Sequence, residues 1–421
     1  MNRNVKYLII GAGISGLTFA NFIKDDYLII EKENEVGGYC RTIKKGEYLW
    51  DYAGHFFHFK TDEMKKLFED LMKDEELIFQ EKNTKIYYGD RLIDYPFQMN
   101  IHQLPQQEFI DCLYDLYNKN EKENYESFLD MLYGKFGKSI VEKFLKPYNE
   151  KLYACDLNNL DKDAMGRFFP YANLNQIINN MKEENNNSYN NTFLYPKNGA
   201  GSFLNKLYEN LDKEKVELMN EIKKIDLKNK TVITKNDEVI NYQYLINTSP
   251  LNNLLELIDN TEKLRENISY NKVLVFNLGF EKKSNFKEHW IYFPQKDINF
   301  YRVGFYDNIL MSDKLSMYIE IGYEKKSKIS EDDIKKQLNL TLQNLKKVGI
   351  VEDDNKLVDY STIVMNPAYV HINSENNKEI KEFEKYLNDN SVYTIGRYGA
   401  WTYCSMEDCM ISAKELAEKL K

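Results

Sequence analysis

The chain has 421 residues, of which 43% are hydrophobic and 14% aromatic, so we expect two or three globular domains and exclude a disordered chain. Its net charge of −9, without a block of Lys or Arg, argues against a nucleic-acid partner. Five cysteines without metal-ligand spacing indicate free thiols, no metal site and a cytoplasmic location. The sequence predicts no signal peptide and no apolar stretch of the roughly 20 residues that span a membrane.

The first predicted elements form a dinucleotide site. An apolar strand leads into the loop Gly11-x-Gly13-x-x-Gly16, and a second apolar strand ends at Glu31. Gly11 permits a tight turn, Gly13 lets a pyrophosphate approach the backbone, and Gly16 lets the next helix pack closely on the sheet. Ser15 lies at the N-terminus of that helix, where the partial positive charge favours phosphate. Glu31 is at the distance expected for a carboxylate that accepts hydrogen bonds from ribose hydroxyls.

The following residues indicate which dinucleotide is bound. From Glu31 the chain reads ExxxxxGGxxRT, with the paired glycines at Gly37 and Gly38 and the arginine at Arg41. This pattern resembles the extended FAD signature of the amine oxidase and UDP-galactopyranose mutase superfamily. The paired glycines allow a backbone turn beside the cofactor, and the guanidinium offers several donors to a phosphate. FAD is therefore predicted over NAD, with a plain glycine turn and a surface arginine as the alternative.

The remaining elements follow from periodicity and turn signals. In chain order we predict a helix over 60–75, a hairpin over 86–93, helices from about 105 to 183, a solvated Asn-rich loop over 185–191, strands over 231–249, antiparallel strands over 271–324, a helix over 330–347, a strand over 392–396 and a helix from about 406.

These elements predict an α/β fold with a discontinuous Rossmann-like FAD-binding domain, a helical insertion and an antiparallel β-sheet substrate domain. The predicted boundaries are 1–85, 191–265 and 386–421 for the three parts of the FAD-binding domain, 86–104 for a hairpin of the sheet domain, 105–190 for the helical insertion and 266–385 for the rest of the sheet domain.

Several later segments are similar to one family, the UDP-galactopyranose mutases, and nearer to their eukaryotic type. These segments are 51–57 (DYAGHFF), 95–100 (YPFQMN), 147–154 (PYNEKLYA), 290–294 with 300–302 (WIYFP and FYR), and 396–403 (GRYGAWTY). Together with the N-terminal motifs they span nearly the whole chain.

The resemblance implies a flavin-dependent isomerisation. In that family the N5 atom of reduced FAD attacks the anomeric carbon of a nucleotide-diphosphate sugar such as UDP-galactose, and the sugar changes between its pyranose and furanose forms without net redox change. The implied partners are a nucleotide-sugar substrate and a reductant such as NAD(P)H or a flavin reductase. The sugar, the nucleotide and the oligomeric state stay open.

The resemblance also assigns roles to individual residues. The catalytic group is His55, Arg167, Arg302 and Tyr403; the cofactor-binding group is Gly11, Gly13, Ser15, Gly16, Glu31, Gly38, Arg41, His55, Arg397 and Asp408; the substrate-binding group is Tyr95, Gln98, Tyr153, Arg167, Arg302 and Tyr403. The arginines would bind the diphosphate, and His55 would hydrogen-bond the reduced flavin. For Asp408, a helix-capping role is an equally good alternative. For Tyr95, simple packing is an equally good alternative.

Two departures from the family affect the substrate side. Tyr153 replaces a usual Trp, and Ile309 lies near the position of a frequent diphosphate-binding Tyr. The competing prediction is an FAD-dependent oxidase or desaturase of the same superfamily, which would need an apolar substrate tunnel and no arginines opposite the flavin. A third is an FAD-stabilised binding protein without activity.

Overall fold

The computed structural model describes residues 2–24, 26–182 and 191–421. Its strands are β1 (Asn2–Ile10), β2 (Tyr27–Ile30), β3 (Thr42–Lys45), β4 (Tyr48–Asp51), β5 (Leu77–Glu81), β6 (Thr84–Tyr88), β7 (Arg91–Asp94), β8 (Thr192–Pro196), β9 (Val216–Glu217), β10 (Ile222–Asp226), β11 (Thr231–Thr234), β12 (Val239–Asn247), β13 (Asn271–Phe280), β14 (Trp290–Tyr292), β15 (Arg302–Phe305), β16 (Ser316–Glu324), β17 (Leu357–Met365) and β18 (Val392–Thr394).

The helices are α1 (Ile14–Ile23), α2 (Asp62–Leu71), α3 (Gln106–Tyr117), α4 (Phe128–Ile140), α5 (Lys146–Tyr153), α6 (Leu174–Lys182), α7 (Gly201–Glu209), α8 (Leu251–Leu257), α9 (Glu262–Asn267), α10 (Tyr306–Leu310), α11 (Glu331–Lys347), α12 (Ser374–Asp389), α13 (Gly396–Gly399) and α14 (Met406–Leu420). The predicted Asn-rich loop, apart from Asn191, lies outside the described residues.

The first sheet contains the two strands that are predicted to flank the dinucleotide site. Its order is β10-β11-β12-β1-β2-β9, with β18 beside β12. The strand β1 runs parallel to β2 and β12, and every residue of β2 is buried, as expected for strands covered on both faces. The strands come from three separate parts of the chain, so the predicted discontinuous Rossmann-like arrangement is confirmed.

The second sheet has the order β17-β13-β16-β15-β14-β6-β7. Its neighbours are antiparallel as predicted, except that β14 runs parallel to β6. That pairing attaches the predicted hairpin, which turns at Gly89 and Asp90, to the edge of the sheet. The hairpin and the strands after 271 therefore form one surface, although nearly 200 residues separate them in the chain.

The helical insertion is less continuous than predicted. Helix α5 ends because Ala154 takes a left-handed conformation with φ of 50°, and residues 154–173 then contain only the short 3₁₀ turns Leu157–Asn159 and Gly166–Phe168. Helix α2 is also shorter than predicted and begins after Thr61, whose side chain accepts a hydrogen bond from the Met64 N–H. The irregular stretch matters because it carries Arg167.

Within the described residues, no helix combines the length and the apolar character needed to cross a bilayer. The numerical domain boundaries stay predictions.

Candidate active site

One large cavity is lined by residues from both sheets and from the helical insertion. Its volume is about 1890 Å³. Sites for single drug-sized ligands usually measure about 300–1,000 Å³, so this cavity has room for a dinucleotide and a second ligand.

The glycine loop forms the part of the wall where β1 gives way to α1. Gly11 has φ of +98°, and a Cβ atom there would lie 2.7 Å from Thr248 Oγ1. A Cβ atom on Gly16 would lie 2.1 Å from the Gly11 carbonyl oxygen, so Gly16 permits the close approach of helix and loop. A Cβ atom on Gly13 would instead meet nothing within 4 Å. Gly13 and the N-terminus of α1 therefore face open cavity, which fits a pyrophosphate.

The next wall contains Glu31 and the paired-glycine turn. The Glu31 carboxylate is buried and accepts hydrogen bonds from the backbone N–H groups of Ala12, at 2.7 Å, and of Glu33, at 3.0 Å. The Gly37 N–H donates to the Ala12 carbonyl at 2.8 Å, which holds the turn against the glycine loop. These contacts orient the carboxylate at the cavity, where its remaining lone pairs suit a ribose diol.

Arg41 belongs to the same wall but is partly committed to the backbone. Its Nε and Nη2 atoms donate to the carbonyl oxygens of Val36 and Glu35 at 3.1 and 2.6 Å. The side chain is buried and lines the cavity, and its donors on Nη1 are left for an anionic ligand.

His55 is a neutral imidazole in the cavity wall. Its Nδ1 atom lies 2.9 Å from the Ala53 carbonyl oxygen, which can only accept, so Nδ1 carries the proton. Burial lowers the pKa of His55 to about 4. At neutral pH, Nε2 is therefore a hydrogen-bond acceptor for a ligand and not a cation.

Arg302 is held by a carboxylate on the neighbouring strand. Its Nε and Nη2 atoms donate to the Glu320 carboxylate at 2.7 and 2.6 Å, and the two residues are direct partners across β15 and β16. Glu320 is 2% exposed. Among the described residues, two of the five guanidinium donors are used, which leaves three for a ligand in the cavity.

Arg167 reaches the cavity from the irregular stretch of the insertion. Its Nη2 atom contacts Asp408 at 2.5 Å. Asp408 also completes a capping box with Ser405 at the start of α14, so the predicted capping role is observed. The ion pair joins the helical insertion to the C-terminal part of the first domain.

Arg397 differs from these two arginines because it has no carboxylate in an ion pair among the described residues. Its Nη1 atom donates to the Cys404 carbonyl oxygen at 3.0 Å, and its guanidinium lies 4.5 Å from the ring centroid of Tyr403 and 5.3 Å from that of Tyr369. A half-buried cation held mainly by aromatic rings and a carbonyl is suited to an anionic or electron-rich ligand.

Most predicted site residues meet in this cavity, and four do not line it. Those that line it are Gly11, Gly13, Ser15, Glu31, Gly38, Arg41, His55, Tyr95, Arg167, Arg302, Arg397 and Tyr403. Gly16 and Asp408 act from behind the wall, as described above. Gln98 is buried and its Nε2 donates to the Pro170 carbonyl oxygen, while Tyr153 packs against Tyr369 and His371. The roles of these residues stay predictions.

Three groups in the wall were not predicted from the sequence. Glu320, Lys82 and the cysteine pair Cys404 and Cys409 were not assigned any role. Glu320 was detectable, because it is a single charge within the apolar run 317–321 of a strand. Lys82 and the cysteine pair carry no comparable signal in the sequence.

Comparison with known proteins gives the family. The family model described as flavin containing amine oxidoreductase matches residues 14–421. Among solved structures, reduced UDP-galactopyranose mutase is similar, with a TM-score of 0.90 and 24% identity over 99% of this chain and 93% of that chain. A putative protoporphyrinogen oxidase from Exiguobacterium has a TM-score of 0.76 and 15% identity over 99% of this chain and 98% of that one. A CLA-producing fatty acid isomerase from P. acnes has a TM-score of 0.64 and 13% identity, again over 99% and 98%.

These identities show a common fold, and the family match covers nearly the whole chain. The chain therefore belongs to the flavin containing amine oxidoreductase family and is a flavin-dependent enzyme.

Proposed function

We propose that this enzyme binds FAD and interconverts the pyranose and furanose forms of a nucleotide-diphosphate sugar, with UDP-galactose as the first candidate. The observation that carries the proposal is that Arg302 and Arg167 line the same cavity as the glycine loop. A diphosphate leaving group needs cations in a water-poor site, whereas an oxidase for an apolar substrate does not.

The residues that would hold FAD are those of the glycine loop, Glu31 at the ribose, and Arg41 at the pyrophosphate. The open space at Gly13 and the acceptor oxygens of Glu31 fit these two parts of the cofactor. When bound in its reduced form, the flavin supplies the nucleophile that attacks the anomeric carbon.

Arg302 would bind the diphosphate and orient it. Glu320 fixes the guanidinium plane through two hydrogen bonds, and the remaining donors can form charge-assisted bonds that strengthen as negative charge develops on the leaving group. Arg167 would give up or share its contact with Asp408 when substrate enters. Tyr403, whose ring stacks on that of Tyr369 at 5.9 Å, would donate its hydroxyl to the same diphosphate.

His55 would accept a hydrogen bond from the reduced cofactor. Its neutral state follows from burial and from the Nδ1 contact with the backbone, so Nε2 presents a lone pair without a repelling positive charge. Tyr95 would contact the nucleotide base, because its ring lines the cavity beside that of Tyr292 at 5.2 Å. The buried Gln98 and Tyr153 would support this region from behind.

The structural similarity to reduced UDP-galactopyranose mutase supports the same proposal. The similarity to a putative protoporphyrinogen oxidase supports the second candidate, an FAD-dependent oxidase or desaturase. The two differ in the working state of the flavin, because a mutase needs the reduced form and returns it unchanged, whereas an oxidase works from the oxidised form.

The test uses dithionite-reduced protein and a panel of UDP-, GDP- and dTDP-sugars under anaerobic conditions, with ring isomers separated by chromatography. We expect ring-isomer products only after reduction, and many turnovers per reducing equivalent. Hydrogen peroxide formed in proportion to an amine or polyene substrate, with no nucleotide-sugar product, would establish the oxidase instead. In the cell we propose a cytoplasmic enzyme supplied with electrons by NAD(P)H or a flavin reductase, in keeping with its free cysteines.

A further inference from the structure

Two thiols lie in contact in the wall of the active-site cavity. The Sγ atoms of Cys404 and Cys409 are 3.6 Å apart, and both residues line the cavity together with the cofactor residues predicted above. Closing a disulfide, with a bond of about 2 Å, would require only a small movement of the two sulfur atoms.

The contact has a structural explanation that does not by itself make a redox site. Ser405 caps α14, so Cys404 and Cys409 occupy the two positions that form a hydrophobic staple at a helix N-terminus. A staple made of two thiols, however, can also be oxidised. Both thiols also line the cavity, which a staple does not require.

Cys409 lies on the cofactor side of the pair. Its thiol pKa is lowered by hydrogen bonding from Cys404, from the backbone of Arg397 and from Ser15. Both Ser15 and Arg397 are residues assigned to the cofactor. These contacts place the sulfur of Cys409 beside the residues proposed to hold the cofactor.

Cys404 lies on the solvent side of the pair. It is half-buried and lines the cavity, whereas Cys409 is 5% exposed. A thiol entering from solvent would therefore reach the sulfur of Cys404 first. Attack there would release Cys409 as the thiolate.

We propose that Cys404 and Cys409 form a redox-active dithiol that passes two electrons to the oxidised cofactor and so produces the reduced form. This inference rests on the proposed function, which requires reduced flavin, and it names a dithiol as the electron donor in place of NAD(P)H or a flavin reductase. Each thiol loses one electron and one proton as the bond between the sulfur atoms forms; the oxidised flavin would take up both electrons and one of the protons, and the second proton would pass to solvent. A small dithiol from solution then exchanges with the disulfide, is itself oxidised to a disulfide, and restores both thiols.

The first test follows the flavin without any nucleotide sugar. FAD-loaded protein with oxidised flavin is made anaerobic and mixed with dithiothreitol, and the loss of oxidised-flavin absorbance is recorded. We expect Cys404→Ser and Cys409→Ser to bleach at least about tenfold more slowly than wild type, because neither can close the disulfide. Cys155→Ser is the matched control, since Cys155 is a half-buried thiol outside this cavity, and it should bleach at the wild-type rate.

The second test identifies the disulfide. Wild-type protein is reduced, freed of excess thiol, loaded with oxidised FAD under argon, alkylated and digested with trypsin. The tryptic peptide 398–414 contains Cys404 and Cys409 and no other cysteine. We expect this peptide to resist alkylation and to be lighter by two hydrogen atoms, in proportion to the flavin reduced.

Either of two results would overturn the inference: bleaching at the wild-type rate in both serine variants, or a fully alkylated peptide beside reduced flavin. If Cys409→Ser does not retain FAD, the variant of the half-buried Cys404 decides alone. Cys404→Val separates packing from redox chemistry, because it keeps an apolar staple, and restored bleaching in it would mean a structural role only. Failure of the sugar panel with dithionite-reduced protein would refute the mutase proposal without affecting either thiol measurement.

Discussion

At the scale of single residues, the site contains three arginines whose positive charges are stabilised by different partners. Arg302 is fixed by a buried carboxylate, Arg167 by a carboxylate that also caps a helix, and Arg397 by tyrosine rings and a carbonyl. Removing one partner of a buried ion pair is costly, because the other charge is left without compensation. For Arg302, a variant that also replaces Glu320 therefore separates the loss of the ion pair from the loss of activity.

Arg302→Lys should lower kcat/KM roughly ten- to hundredfold, the equivalent of losing one charge-assisted hydrogen bond of about 1.5–3 kcal/mol. The reason is that an ammonium cannot contact Glu320 and a diphosphate in one plane. The measurement is steady-state turnover of reduced enzyme, with the flavin spectrum as the control for an intact cofactor site. Wild-type turnover in this variant would contradict the assigned role.

Arg302→Met alone should also destabilise the fold, by about 3–5 kcal/mol, because it leaves Glu320 buried and unpaired. The double variant Arg302→Met with Glu320→Met should recover most of that stability and none of the activity. Urea unfolding of the single and double variants measures the difference. Equal stability of the two would show that the buried carboxylate does not need its partner.

Asp51 is a buried carboxyl at the junction of three segments. It accepts hydrogen bonds from Thr42, from Tyr195 Oη at 2.9 Å and from the Ala200 N–H at 3.1 Å. Burial is nevertheless the largest influence and raises its pKa to about 7. Since an unfolded Asp titrates near 3.9, protonation favours the folded state; the stabilising contribution is complete below about pH 4 and is lost as the pH rises through about 7.

Asp51→Asn should therefore gain stability relative to wild type as the pH rises from about 4 to about 8, because an amide does not ionise. Urea unfolding at several pH values measures this difference. Asp307→Asn is the comparison, because burial raises the pKa of Asp307 to about 6. The gain in stability of this variant over wild type should therefore be complete at a lower pH than that of Asp51→Asn. A difference that is constant with pH would mean that Asp51 does not titrate in this range.

At the scale of elements, α1 and its glycine loop are proposed to carry the cofactor site, and their glycines have separable roles. Gly16 faces the Gly11 carbonyl oxygen, whereas Gly13 faces open space. Gly16 is therefore required for close packing within the fold, whereas Gly13 leaves space for a ligand.

Gly13→Ala should fold with nearly the wild-type Tm but retain at least about tenfold less FAD, because its methyl group enters the space expected for the pyrophosphate. Gly16→Ala should lower the Tm even without FAD, because its methyl group would overlap a backbone oxygen. Thermal unfolding of apo protein and FAD titration together distinguish the two. Equal FAD affinity of Gly13→Ala and wild type would place the cofactor elsewhere.

At the scale of the whole molecule, the cavity lies where both sheets and the insertion meet, so its ligand couples the parts of the chain. We expect purified protein to carry one noncovalent FAD that heat denaturation releases into solution. Added FAD should raise the Tm of apo protein, with a gain of about 2.7 kcal/mol at a hundred times the Kd. NAD is the control ligand, and stabilisation by NAD in place of FAD would refute the cofactor assignment.

The local motifs were sufficient to predict the fold of the glycine-loop region. Gly11 to Gly16 and the strand that ends at Glu31 are contiguous in the chain, and their turn, helix start and register follow from short-range sterics. The alternation after residue 271 likewise predicted antiparallel strands, because side chains of a strand alternate between two faces.

The contacts between distant segments were decided only by the tertiary structure. Three such contacts could not be predicted from the spacing of residues in the sequence. They are the parallel pairing of β14 with β6, the cross-strand pair of Arg302 with Glu320, and the contact of Arg167 with Asp408. The reason is physical: periodicity reports which face of an element is buried, whereas packing decides what that face is buried against. The sequence thus indicated a cofactor, and the fold determined which charges accompany it.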